Sequence, residues 1–435
     1  MSDEPYSPLI HNPGGLPRAP AQFLRLVPPA LLLAALGMYG LLAPLTAHRQ
    51  DADWSHLWLG GRMVAVGRAN ELYRPETQIE VFRRSNPAGE PPAVWRPRND
   101  ILGCFNYPPP AAVGYALIAW LPMGTAAIVN AYASIFLAVL AALLLAAARP
   151  GLGASALGLA ILAYPPFFVN LAIGQNAAYS LAVLLVAWAL AARGRDLGAG
   201  LVLGLLVCKP NWLVAVGWIP LVHGRWRLLA GMALGGGTVV LATAAVVGVQ
   251  PFLDYRLLFS KVARIHELPF YDLDIKYSGV GLFRKWLGAT SPWASAVAWI
   301  GNGAVIFLTW RATRGQWRPG EPMFHRLMAC SLLAALWINP HLNHYDLLPL
   351  APCLVVLVRD AATLGRRAWF AAILLALLNY AAVPWDQSWP MNVRLVAPIP
   401  TFALLAAWAW LWRRCRSRSP NAGMVSDFVP RLAGV

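Results

Sequence analysis

Hydrophobic positions in this chain come in long runs rather than in strand-like alternation. Apolar stretches lie near 23–46, 107–122, 124–148, 153–173, 176–192, 197–222, 228–249, 293–311, 327–338, 345–358, 368–383 and 395–412. A helix needs about 20 such residues to cross a bilayer core, so the pattern predicts an all-α, polytopic membrane protein of about 12 spans. Two prolines break the runs. Pro122 divides 107–148 into two segments, and parity then makes one piece partial or re-entrant. Lys209-Pro210 divides 197–222 into two short helices, because proline cannot donate a helical bond and a lysine at bilayer depth must line a cavity. The longest polar stretch, 47–106, follows the first span. Within it Trp54, Leu57, Trp58, Gly61, Val64 and Ala65 recur at helical spacing and predict an amphipathic helix lying on the membrane face.

Composition agrees with this reading. Of 435 residues, 58% are hydrophobic and 12% charged, and mean hydropathy is +0.53. A soluble domain carries about 25% charged residues, so a water-soluble enzyme is excluded, as is a disordered or fibrous chain. The net charge of +16 resides mostly in short loops between apolar runs, where it reads as topology and contact with anionic lipid rather than nucleic acid. Arg193/Arg195, Arg225/Arg227, Arg311/Arg314/Arg318, Arg359/Arg366/Arg367 and Arg413/Arg414/Arg416/Arg418 would all face the cytoplasm. A tail over 1–21, without the pattern of a cleavable signal, and a basic tail over 413–435 join them there, bracketing one membrane domain over 22–412. Loops at 47–106 and 250–285 then face outward. The short Arg-rich inner loops suggest a bacterial inner membrane. They leave no room for a nucleotide-binding domain, and no GxxxxGK[ST] loop is present. The five cysteines show neither a disulfide framework nor metal spacing.

The chemistry-bearing residues collect at the outer ends of the predicted helices. Asp51 and Asp53 precede the amphipathic stretch, and Asp53 reads either as a helix N-cap or as a general base at the water–lipid boundary. Tyr107-Pro108-Pro109-Pro110 marks the re-entry of the chain. Gln175 and Asn176, in a Gly-Gln-Asn turn, offer amides to sugar hydroxyls or to helix ends. Lys209 either snorkels to the surface or holds an anion such as a lipid phosphate. In Asn339–Asp346, His341 and His344 with Asp346 are too few for a convincing metal site and suit a hydrogen-bonding rim. The 250–285 loop carries Asp254, Arg256, Lys261, Arg264, His266, Glu267, Asp272, Asp274 and Lys276. Trp385-Asp386-Gln387-Ser388-Trp389 reads as an outer loop with paired aromatics.

Taken in order, the Asp53 segment running on to Leu72-Tyr73-Arg74-Pro75, then Tyr107-Pro108-Pro109-Pro110, Gly174-Gln175-Asn176, Ala199-Gly200-Leu201 leading to Lys209-Pro210, and His344-Tyr345-Asp346 resemble glycosyltransferase family 87. The resemblance implies a GT-C-type helical bundle. It implies an inverting transferase that takes mannose from a polyprenyl phosphate and passes it to a lipid- or glycan-linked acceptor outside the membrane. Asp53, or Asp51 beside it, would deprotonate the acceptor. Lys209 with His341 or His344 would hold the leaving phosphate, and Tyr107, Gln175, Asn176 and Asp346 would line the site, with neither metal nor cofactor. The family's acidic, aromatic context after the aspartate is here partly replaced by Trp54-Ser55-His56. A transporter or flippase of lipid-linked substrates is the alternative for a polytopic plan. It would favour charged positions at the bilayer midplane and internal repeats.

Overall fold

The computed structural model describes residues 31–41, 53–87, 105–148, 153–262 and 273–417, and among them every regular element is a helix. The Asp51 position and parts of both expected outer loops lie outside the described residues. Of the first expected span, α1 (Leu31–Leu41) is described. It is followed by α2 (Trp54–Ala65), α3 (Pro75–Ser85), α4 (Pro109–Ala119) and α5 (Met123–Ala147). Then come α6 (Ala154–Leu162), α7 (Pro165–Ala172), α8 (Ala177–Ala192), α9 (Asp196–Gly204), α10 (Pro210–Val222), α11 (Trp226–Val247) and α12 (Gln250–Val262). The second half holds α13 (Gly279–Leu287), α14 (Pro292–Thr313), α15 (Pro322–Ile338), α16 (Leu350–Ala362), α17 (Arg366–Ser388), α18 (Met391–Val396) and α19 (Ile399–Arg416).

Among the described residues five helical stretches are long and apolar enough to cross a membrane: α5, α11, α14, α17 and α18–α19 taken together. The pair α6–α7, bent by 58° at Ala163-Tyr164, makes a sixth if it is one span. Leu117, Phe136, Leu241, Trp293, Ile300 and Leu377 are exposed on the bundle's outside. An aqueous surface would not tolerate so continuous an apolar belt.

Both proline breaks stand where the sequence placed them. At the second, the last turn of α9 tightens into a 3₁₀ segment (Leu205–Cys208), and Pro210 becomes the first residue of α10. Proline forbids a helical residue before it, so Lys209 is extended at φ −144° and its side chain leaves the helical row. At the first, the carbonyl of Leu121 takes the Trp58 indole N–H at 3.2 Å, and that of Met123 takes the Trp54 indole at 3.1 Å. Trp54 N–H also bonds Ile173 O at 2.9 Å, next to the turn that meets Tyr107. Thus α4 begins and ends at the same end of the bundle. At about 1.5 Å per residue it is too short to cross a bilayer core of about 30 Å. Its length matches the partial piece expected in 107–148.

Two expectations need correction. Helix α2 does not lie half-exposed on a surface: Trp54, Leu57, Trp58, Leu59 and Met63 are all buried. It packs so tightly that a Cβ on Gly61 would collide with the Tyr115 backbone, and one on Gly60 with the Phe105 ring. Those glycines convert an amphipathic pattern into a core helix with its own small hydrophobic cluster. The second correction concerns Trp385-Asp386-Gln387-Ser388-Trp389, expected as an outer loop. Helix α17 runs through Pro384 to Ser388, and Asp386 is buried, its carboxylate accepting from Tyr277 OH at 2.9 Å and from Ile399 N–H at 3.3 Å. With both oxygens satisfied, the acid need not sit in a loop. The stretch 250–262 is likewise helical.

The chain's alternation gives the bundle two unlike ends. The arginine-rich loops are cross-braced at one end: Arg225 pairs with Asp196, Arg326 and Arg414 both grip Asp360 at 2.7 Å, and Gln316 bonds the Cys415 carbonyl at 2.8 Å. At the other end lie the Asp53, Gln175, Lys209 and 339–346 segments. Between them α9 and α11 approach backbone to backbone. A Cβ on Gly200 would collide with the Leu228 carbonyl, and one on Gly231 with that of Leu197. Gly231→Leu should therefore force these helices apart at a cost of about 1–3 kcal/mol. The expected outcome is a marked drop in apparent Tm in detergent, whereas Gly237→Leu, with open space around Gly237, should be neutral.

Candidate active site

The site is built from four segments distant in sequence. Asp53 occupies the N-cap position of α2 but makes no capping bond. Its Oδ2 instead accepts from Gln175 Nε2 at 2.5 Å. Gln175 is buried, and its Oε1 accepts from Tyr107 OH at 3.0 Å and from Asn176 N–H at 3.3 Å. Local structure fixes this amide. Asn170, near the end of α7, caps α8 by accepting from Ala177 N–H at 2.8 Å, and its carbonyl takes Gln175 N–H at 2.9 Å. Gly174 turns at φ +67°, where a Cβ would strike the Trp54 side chain. The turn is thereby seated on the first residue of α2, and Gln175 has one place to reach.

Facing this is a cluster made by the α9–α10 break and the 339–346 segment. Lys209 Nζ bonds Asp346 Oδ1 at 2.5 Å, with Asp346 fully buried and Lys209 8% exposed, so the ammonium does not snorkel. The lysine also sits 5.4 Å from the centre of the Tyr345 ring. Asp346 lies in a 3₁₀ turn (His344–Leu347) closed by a reciprocal cap with Asn343. Asn339 Oδ1 accepts from Asn211 Nδ2 and from His341 N–H, each at 3.0 Å, fastening the 339–346 segment to α10. Lys276 donates to the Asn343 side chain, whose amide also reaches Tyr345 OH and stands 3.4 Å from His341 Nε2.

The halves adjoin: α7, which leads into the Gln175 turn, packs against the 3₁₀ turn that carries Asp346. Burial first, then the charges of Asp53 and Asp346, push the Tyr345 phenol well above its ordinary range. Burial and Asp53 do the same at Tyr107. Burial, then Lys276 and Lys209, push the His341 imidazole well below its ordinary range, so it is neutral near pH 7. The arrangement is a half-buried carboxylate with one neutral amide partner, opposite two ammonium groups and a neutral imidazole. Such a site can take a proton on one side and stabilise developing negative charge on the other. Among the described residues no group of three His, Cys, Asp or Glu side chains is placed to hold a metal ion.

Of the sequence candidates, Asp53, Tyr107, Gln175, Lys209, His341 and Asp346 come together. His344 is half-buried, its ring 5.2 Å from that of Tyr345. The Asn176 side chain does not join the Asp53 contact; it is buried at the start of α8. Lys276, named only among the charges of the 250–285 loop, Tyr345, named only within the His344-Tyr345-Asp346 motif, and Asn343 were given no role. A signal existed for the first, since only four of the chain's 35 basic residues are lysines and two of those four stand here.

A family model described as Glycosyltransferase family 87 matches residues 105–340. Tyr107, Gln175, Lys209 and Lys276 fall inside the match, and Asp53, His341 and Asp346 outside it. No curated protein and no solved structure matches the chain.

Removing one member of a buried ion pair leaves the other charged and unpaired, at about 3–5 kcal/mol, whereas an apolar pair of similar volume is tolerated. Lys209→Met should lower the apparent Tm sharply, and Lys209→Met combined with Asp346→Leu should regain most of the loss. Equal Tm for single and double variants would contradict the pairing.

Proposed function

The chain belongs to glycosyltransferase family 87 and is a glycosyltransferase; we propose that it moves a sugar, mannose by the family resemblance, from a polyprenyl-phosphate donor to a lipid- or glycan-linked acceptor at the outer face of a bacterial inner membrane. The five long helices, the bent pair and the shorter apolar helices would supply about 12 membrane passages in a GT-C-like bundle, counting one partial piece. The arginine-rich end then faces the cytoplasm and the Asp53 end faces outward.

The observation that carries this reading is the state of the Asp53 carboxylate. It caps nothing, is held by Gln175, and faces the lysine-rich cluster. Asp53 takes the proton from an acceptor hydroxyl as that oxygen attacks the anomeric carbon. The bond from that carbon to the phosphate oxygen breaks in the same displacement, on the opposite face, with inversion. The electron pair leaves on the phosphate, where Lys276 and the donors of Lys209 not engaged by Asp346 balance its charge and the neutral His341 imidazole offers a hydrogen bond. A transporter finds less support, since the buried acidic and basic side chains among the described residues lie at the two ends of the bundle rather than at its middle.

Purified protein mixed with polyprenyl-phosphate mannose and a lipid extract tests the proposal. A positioned general base contributes about 10²–10⁴-fold to rate. Asp53→Asn should lose transfer by that factor while still inserting and binding polyprenyl phosphate. Full activity in Asp53→Asn would remove Asp53 from the mechanism.

A further inference from the structure

From the Asp53 side of the site a row of aromatic side chains leads away to the surface. Tyr107, whose hydroxyl holds Gln175, is 6.0 Å from Phe105, Phe105 is 5.9 Å from Tyr73, Tyr73 is 5.8 Å from Tyr255, and Tyr255 is 6.1 Å from Phe259. Tyr73 OH also bonds the Tyr107 carbonyl at 2.7 Å, fastening the row to the site. Exposure rises outward: Phe105 is fully buried as a floor, Tyr73 and Tyr255 are half-buried, and Phe259 is 51% exposed.

The rings of the row meet at a shallower angle than the edge-to-face pairs beside them in the same hydrophobic cluster. Trp54–Tyr115 and Trp58–Phe82, in the same hydrophobic cluster, meet edge to face at 72° and 89°. The four contacts of the row are inclined at 32–49°. Its outer end has a polar border on α12, where exposed Gln250 donates to Asp254 Oδ1 at 2.8 Å. Burial, then Tyr255 and Asp254, raise the Tyr73 phenol far above its ordinary range, which places that carboxylate beside the row. Aromatic faces bordered by a carboxylate and an amide suit a ligand with apolar C–H faces and a hydroxyl rim. Sugars have that chemistry.

We infer that Tyr73, Tyr255 and Phe259, bordered by Gln250 and Asp254, form an extended saccharide subsite for the acceptor, guiding its terminal sugar to Asp53. The inference rests on the proposed role of Asp53 for its direction: the row reaches the site at Tyr107, which bonds the amide that holds Asp53. The acceptor would therefore carry several sugar units.

Calorimetric binding of octyl mannosides with one, two and three sugar units, the alkyl chain held constant, tests this without any transfer step. Wild type should bind more tightly with each added sugar. Tyr255→Ala and Phe259→Ala should weaken the trisaccharide about tenfold, the scale of one lost aromatic stack, and leave the monosaccharide unchanged, with Tyr255→Phe close to wild type. Equal weakening for all three ligands would assign the row to the alkyl chain and overturn the inference, as would wild-type affinity independent of sugar number. Failure of the transferase reading would show in the donor assay instead.

Discussion

The hydrogen bond from Gln175 to Asp53 joins residues 122 positions apart, and the geometry of the site depends on it. Without it Asp53 would be free to turn back and cap α2, as aspartates at that position do. Everything around the bond limits the amide's freedom. Asn170 pins the turn from inside, Gly174 lets it close onto Trp54, and Tyr107 occupies the second polar atom of Gln175. A carboxylate restrained by a neutral partner keeps its charge available, which an ion pair would not allow.

The opposite wall uses the other solution. Lys209 is forced out of its helix by Pro210, and a buried ammonium needs compensation. Asp346 supplies it from a 3₁₀ turn that Asn343 closes. The pair locks the 339–346 segment against the α9–α10 break and so sets where His341 stands. The unlike treatment of the two carboxylates, one amide-bound and one ion-paired, divides their roles within one small volume. At the far end of the bundle the same economy recurs for structure alone, with Asp360 shared between two arginines.

Much of this was legible in the sequence wherever the cause is local. Pro122 and Pro210 mark breaks because a missing N–H acts at its own position, and the apolar runs mark helices because the bilayer sets their length. What depended on partners far along the chain was not legible. Asp53 could be read as cap or base until Gln175 was seen to reach it. Asp386, between two tryptophans and after a proline, reads as a loop residue; Tyr277, 109 positions away, makes its burial affordable. The α2 helix looked amphipathic, although Gly60 and Gly61 already hinted that both flanks would be covered. Lys276 was hidden in a loop of mixed charge.

The most direct test of Asp53 as the base of a single displacement is the anomeric configuration of the product, read by NMR on sugar transferred from a β-linked polyprenyl-phosphate donor. An α-linked product is expected, because the acceptor oxygen held at Asp53 enters opposite the phosphate held by the lysine cluster. A β-linked product would mean two displacements or attack from the same face, and would contradict the division of the site into a base wall and a phosphate wall.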